Sequence, residues 1–140
     1  MFIIDTDHIG VLQRQTGSHY QRLSQRIAGH SQTDFYVAIV SFHEQILGWN
    51  AYIARAKDQT GVVRGYGRLE KILNDFSRSQ VLPFDEAAAD IFGDLRNRKI
   101  RIGTMDLRIA AIALATGMTV LSRNLVDFQR VPNLNIEDWT

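Results

Sequence analysis

The sequence predicts an α/β fold in which a central parallel sheet of about four or five strands is flanked by helices. Two observations predict it. Short apolar runs of strand length recur along the chain, and between them lie stretches whose apolar residues recur at helical spacing. The runs are also apolar at nearly every position, as in strands covered on both faces of a parallel sheet.

In chain order, residues 1–4 read as a short buried strand. Ile9 to Leu12 with Tyr20, Leu23 and Ile27 give one or two helices before Gly29. Residues 35–40, Phe-Tyr-Val-Ala-Ile-Val, are the second strand. Ser41 then starts a helix whose apolar positions Ile46, Leu47, Trp49, Tyr52 and Ile53 lead to a break at Gly61. Leu69, Ile72, Leu73 and Phe76 mark the next helix, and Val81-Leu82-Pro83 a short strand. Asp85 is placed to cap a helix over 86–95. A helix over 104–116 ends at Gly117, a strand follows over 119–122, and the last apolar element is 134–136. With no repeat, no linker and two prolines, the expected organisation is one domain over 1–140.

Composition narrows the function. A chain of 140 residues, 45% hydrophobic, can bury roughly two-thirds of its unfolded surface in one core. Sixteen basic residues against fifteen acidic leave a net charge of +1, so affinity for nucleic acid has to come from a local patch. The absence of cysteine excludes disulfides, thiol catalysis and thiolate zinc sites, and agrees with a cytoplasmic location. No apolar run approaches the ~18 residues that span a bilayer. Asp5 and Asp7 interrupt the apolar start in a way a signal peptide does not.

The chemistry is carried by acids at strand ends. Asp5 follows Phe2-Ile3-Ile4, Glu44 follows the run 35–40, Asp106 opens the helix 104–116, and Asp127 lies just past residues 119–122. In a parallel sheet these positions share the carboxyl edge, where open α/β sheets bind ligands. Carboxylates gathered there repel one another unless a cation stands between them, and a divalent metal is the simplest such cation. A metal held by carboxylates supports hydrolysis of a phosphodiester without a nucleophilic side chain. Ser122 and Asn124 supply a hydroxyl and an amide beside the same edge, suited to orienting a carboxylate.

Each acid also has a structural duty open to it. Asp5 can stabilise a turn, and Asp7 can cap the helix that begins near His8. Ser41 and Glu44 stand at capping-box spacing, and Asp106 can be a first-turn acid behind an N-cap at Thr104. Asp127 can cap the turn before Phe128. Arg96, Arg98, Lys99 and Arg101 form a basic run that either holds a phosphate backbone or is a solvated helix end. The four histidines show no zinc-type spacing, and His43 reads as a surface residue.

These motifs together resemble the PIN-domain ribonucleases, and within them the VapC-like toxins of toxin-antitoxin pairs. The likeness rests on residues 2–7 (FIIDTD), 41–44 (SFHE), 102–114 (IGTMDLRIAAIAL) and 121–128 (LSRNLVDF). It implies a PIN-like three-layer fold, with Asp5, Glu44, Asp106 and Asp127 as the acidic metal site and Ser122 and Asn124 as supporting polar groups. It further implies magnesium or manganese as cofactor, RNA as substrate, a homodimer, and inhibition by a small antitoxin protein. Ser122 stands where threonine is common in the family, and Asp7 where asparagine or serine is frequent. Residues 51–78 match only as helical filler. Two other readings compete: a free-standing RNA-processing nuclease of the same family, and a haloacid-dehalogenase-like phosphatase using Asp5 and Asp7, with Ser41 as its phosphate-binding hydroxyl.

Overall fold

Five strands form one wholly parallel sheet in the computed structural model, which describes residues 1–140. They are β1 (Phe2–Ile4), β2 (Phe35–Ala38), β3 (Val81–Leu82), β4 (Thr119–Leu121) and β5 (Ile136–Glu137). Their spatial order is β3-β2-β1-β4-β5, with Ile4 in register with Val37 on one side and Leu121 on the other. Seven α-helices connect them: α1 (Thr6–Arg14), α2 (Gly17–Ala28), α3 (Ile39–Arg55), α4 (Gln59–Ser77), α5 (Glu86–Asn97), α6 (Thr104–Thr116) and α7 (Leu125–Phe128).

Successive side chains of a strand point to opposite faces, and this divides the core in two. Ile3, Ala38 and Val120 pack on one side against Leu95 of α5 and Leu107, Ile109, Ala110 and Ala113 of α6. Ile4, Val37 and Leu121 pack on the other against Ile9 and Val11 of α1, Leu23 of α2, and Ile72 and Phe76 of α4. The result is three layers. Each large aliphatic side chain buried this way contributes about 1.5–3 kcal/mol, so the three-residue central strands are held by both helical layers as well as by their ladders.

Helix ends depart from the expectation in informative ways. The apolar run 35–40 is divided: β2 stops at Ala38, α3 starts at Ile39, and Ala38 caps it without a side-chain bond. Ser41 is therefore inside the helix and makes no capping box with Glu44. The α3/α4 break falls at 56–58, where Asp58 accepts from the Gly61 amide at 2.9 Å, so Gly61 lies in the first turn of α4. Gly103, not Thr104, is the N-cap of α6. Asp85 caps α5 as expected, accepting from the Ala88 amide at 3.0 Å. Gly117 ends α6 at φ +68°, the left-handed conformation that favours glycine. A short 3₁₀ turn (Gln32–Asp34), closed by a reciprocal Ser31–Asp34 capping box, precedes β2 unforeseen. Of the last apolar element, 134–136, only Ile136 enters a strand, β5.

Candidate metal centre

Parallel strands bring their carboxyl ends to one edge. Asp5 follows β1 directly as the N-cap of α1, and its amide donates to the Leu121 carbonyl at 3.0 Å. Glu44 arrives from the second turn of α3, after β2. Asp106 comes from the first turn of α6, the helix that runs back toward the start of β4. Asp5, Glu44 and Asp106 each present a carboxylate oxygen within 4.8 Å of the other two. Asp127 is not among them. It sits in α7, joined to the cluster by Asn124, whose Nδ2 donates to Asp106 Oδ2 at 3.2 Å and to Asp127 Oδ2 at 3.0 Å.

Hydroxyls and amides fix these acids. Ser122 is buried and donates to Asp5 Oδ2 at 2.7 Å, while accepting from the Asn124 amide at 3.0 Å. Thr6 donates to Glu44 Oε1 at 2.9 Å, with Ser41 Oγ 3.0 Å from the same threonine oxygen. Asp7 does not cap α1; its Oδ2 accepts from the Arg123 amide at 2.9 Å and its Oδ1 lies 2.8 Å from His8 Nδ1. His8 is fully buried. Because the Trp139 amide donates to its Nε2 at 3.2 Å, Nδ1 is the nitrogen that carries the proton toward Asp7. The sequence does not single out Thr6, Ser41 or His8 as holding the acids, since a hydroxyl or imidazole next to an acid carries no pattern of its own.

One carboxylate oxygen stands alone. Asp5 Oδ1 is buried and has no hydrogen-bond partner. Burial, with Asp7 nearby, pushes the Asp5 carboxyl up to about 7. Burial also raises Glu44 and Asp106, against the bonds from Thr6 and Asn124; Asp106 adds to the rise at Glu44, and Asp127 to that at Asp106. Asp7 moves the opposite way, because the His8 and Arg123 bonds outweigh its burial. A buried carboxylate with an unpartnered oxygen, grouped with two further carboxylates, is a donor set of hard oxygens, which fits a divalent cation. Asp5, Glu44 and Asp106 are the residues that would hold it.

The basic run makes local contacts. Arg98, the C-cap of α5, pairs with Asp94 at 3.1 Å, and Arg96 lies over Phe92 at 5.6 Å within the helix. Lys99 adopts a positive φ just after the helix, and Arg101 accepts through its carbonyl from Arg130. A shallow groove next to the site is lined by Asp7, Arg123, Asn124 and Asp138. His43 is exposed, as expected. Ser41 is fully buried beneath Thr6, which removes it as a phosphate-binding hydroxyl. No helix is long and apolar enough to cross a membrane.

Comparison with known proteins agrees with this geometry. The tRNA(fMet)-specific endonuclease VapC of Salmonella typhimurium is 40% identical over 67 residues, 45% of this chain and 51% of that protein. The chain thus spans about half the length of the curated relatives it matches first. Ribonuclease VapC1 of Rickettsia felis aligns over 96% of this chain and 92% of its own, at 27% identity. DNA-bound VapBC from Salmonella typhimurium shares the fold, with a TM-score of 0.75 and 23% identity over 99% of this chain and 98% of that one. The model of the PIN domain matches residues 8–134, and the chain belongs to the PIN-domain family.

Proposed function

We propose that this chain is a metal-dependent endoribonuclease that hydrolyses RNA phosphodiester bonds, and that it is the toxin of a toxin-antitoxin pair. The observation that carries the chemistry is the Asp5–Glu44–Asp106 cluster, three carboxylate oxygens within 4.8 Å with one buried oxygen unpartnered. The VapC relatives, named as a ribonuclease and a tRNA endonuclease, support the substrate class. The VapBC structure that shares the fold supports a protein partner. A homodimer is supported by the exposed apolar side chains Val63, Tyr66 and Leu73 of α4, which a second copy would cover.

Magnesium or manganese, when bound, supplies positive charge that acidifies water and neutralises the phosphate. The chain does the rest. Ser122 holds Asp5 in one rotamer, Thr6 holds Glu44, and Asn124 spans Asp106 and Asp127, so the acids meet the cation without rearrangement. Asp127, at the far side of Asn124, acts as a positioning acid for Asp106. Three acids rather than one leave the pocket anionic enough to keep a cation and, once it is filled, close enough to neutral to admit a phosphate.

The test is cleavage of a mixed single-stranded RNA. Asp106→Asn or Glu44→Gln is expected to lower the magnesium-dependent rate by at least ~100-fold while leaving the folded state intact. EDTA should have the same effect on the unaltered chain. Undiminished cleavage in Asp106→Asn would defeat the assignment. A phosphatase reading predicts instead release of phosphate from a small monoester, with no dependence on Glu44.

A further inference from the structure

The largest groove of the molecule, about 470 Å³, lies between α1, α3 and α4, and its charge is opposite to that of the acidic site. Arg14, Arg64, Arg68 and Lys71 line it together with Trp49. Positions 64, 68 and 71 fall on one face of α4, and Arg14 of α1 lines the same space. Lys71 is paired with Asp75 at 3.3 Å. Arg14, Arg64 and Arg68 have no carboxylate within 4.0 Å, and the Arg68 guanidinium lies 5.7 Å above the Trp49 ring. Three unneutralised guanidinium groups around one groove repel each other, which an anion between them relieves.

We propose that this groove is a phosphodiester-binding subsite that holds the RNA strand as it runs on from the acidic centre, with Trp49 as a surface on which a base stacks. It rests on the nuclease reading above and extends it to a second stretch of the strand. Helix α1 is the link. Thr6, at its start, touches Glu44, while Gly10 and Arg14, one and two turns later, line the groove. At 1.5 Å per residue these lie ~6 Å and ~12 Å along the helix from Thr6, a span that a single strand covers in a few nucleotides. Gln13 and Gln45 exchange amide bonds at 3.1 and 2.9 Å, which fixes the α1 wall against α3. The guanidinium fork matches a phosphate in shape as well as charge, and arginine beside an aromatic ring is the composition of a single-strand groove. A nucleotide answers both features at once, its phosphate the guanidinium groups and its base the indole, in every repeat of the strand.

The experiment measures binding of a fluorescein-labelled single-stranded RNA to the chain by anisotropy, in EDTA so that the strand stays intact, over a series of KCl concentrations. Arg64→Gln with Arg68→Gln is expected to weaken binding by ~10-fold or more and to flatten the slope of log affinity against log salt by about 1.4, near 0.7 for each phosphate that is no longer neutralised. Arg64→Lys with Arg68→Lys should recover most of the slope. Trp49→Leu should weaken binding ~10-fold at an unchanged slope. Arg96→Gln with Arg98→Gln should change neither. In magnesium, the Arg64/Arg68 glutamine variant should raise KM for the long strand and leave hydrolysis of a dinucleotide unaltered. Wild-type affinity and slope in that variant would overturn the proposal. So would intact RNA binding alongside abolished binding of a polyglutamate peptide, which would assign the groove to a protein partner. A chain whose RNA binding depends on the groove but which cleaves neither RNA nor dinucleotide would instead refute the nuclease reading and leave the subsite standing.

Discussion

Asp5 is a carboxyl group placed where water is scarce, with Glu44 and Asp106 close by. Its ordinary value of 3.8 is raised to about 7 in the fold, and Glu44 and Asp106 move the same way. The folded protein therefore binds more protons than the unfolded chain between those values. Its metal-free stability should be highest near the lower one and fall as pH rises through about 7. Asp7 and Asp138, both lowered, have the opposite sign, and the stability they contribute is lost as pH falls below the ordinary carboxylate range. Metal-free unfolding in urea should thus show a maximum at mildly acidic pH, with a loss on the order of 2–4 kcal/mol between pH ~5 and ~8. Asp5→Asn should remove most of that loss, and divalent cation should raise the midpoint more at the higher pH. A flat profile in the unaltered chain would mean that Asp5 is not buried beside Asp7 as the structure has it. These residues are legible in the sequence because each stands at a strand end or in the helix turn next to one. Thr6, Ser41 and His8, which hold the site, are not: Thr6 and His8 reach Glu44 and Trp139 on distant segments, Ser41 reaches Thr6, and no local period points at them.

At the scale of elements, the α3–α4 pair shows what a glycine does under close packing. A Cβ on Gly65 would lie 2.3 Å from Ile53 Cγ1, in the middle of a side chain with no free end to swing aside. Gly67, two residues on in the same helix, has nothing within 4 Å. Both substitutions to alanine gain ~1 kcal/mol of helix propensity, but the first must push α3 away and costs about 1–3 kcal/mol. Gly67→Ala is expected to raise the melting temperature and Gly65→Ala to lower it, and equal effects would show that the helices do not approach this closely. The helices themselves are legible from apolar spacing, while their ends are not. Residues 39 and 40 are as apolar as the strand before them, yet they turn into α3, since hydrophobicity alone cannot separate a strand from a buried first helical turn. The break falls at 56–58, where Asp58 supplies a cap, because a glycine in a first turn costs less than an uncapped helix end.

Over the whole molecule, the sheet order brings the tail after β5 beside the site, a consequence of topology that no stretch of sequence carries. β1 is the central strand and β5 pairs at the edge with β4, so the tail after Glu137 crosses back over the end of β1. Trp139 is buried there against Phe2, with ring centroids 4.8 Å apart, and against His30 at 5.3 Å, with Arg26 lying 4.4 Å over its ring. Its amide reaches His8, which in turn holds Asp7 to the backbone of Arg123. Since β5 has two residues, ladder bonds alone give the tail little, and the indole carries most of the attachment. Trp139→Ala should therefore cost about 3–5 kcal/mol in urea unfolding, and Trp139→Phe clearly less. The same alanine variant should slow RNA cleavage at temperatures where it is still folded, because a loosened tail frees His8 and lets Asp7 drift from the loop that carries Ser122 and Asn124. A loss below ~1 kcal/mol would show that the edge strand stands without its anchor. Full activity at full destabilisation would separate the tail from the acidic site.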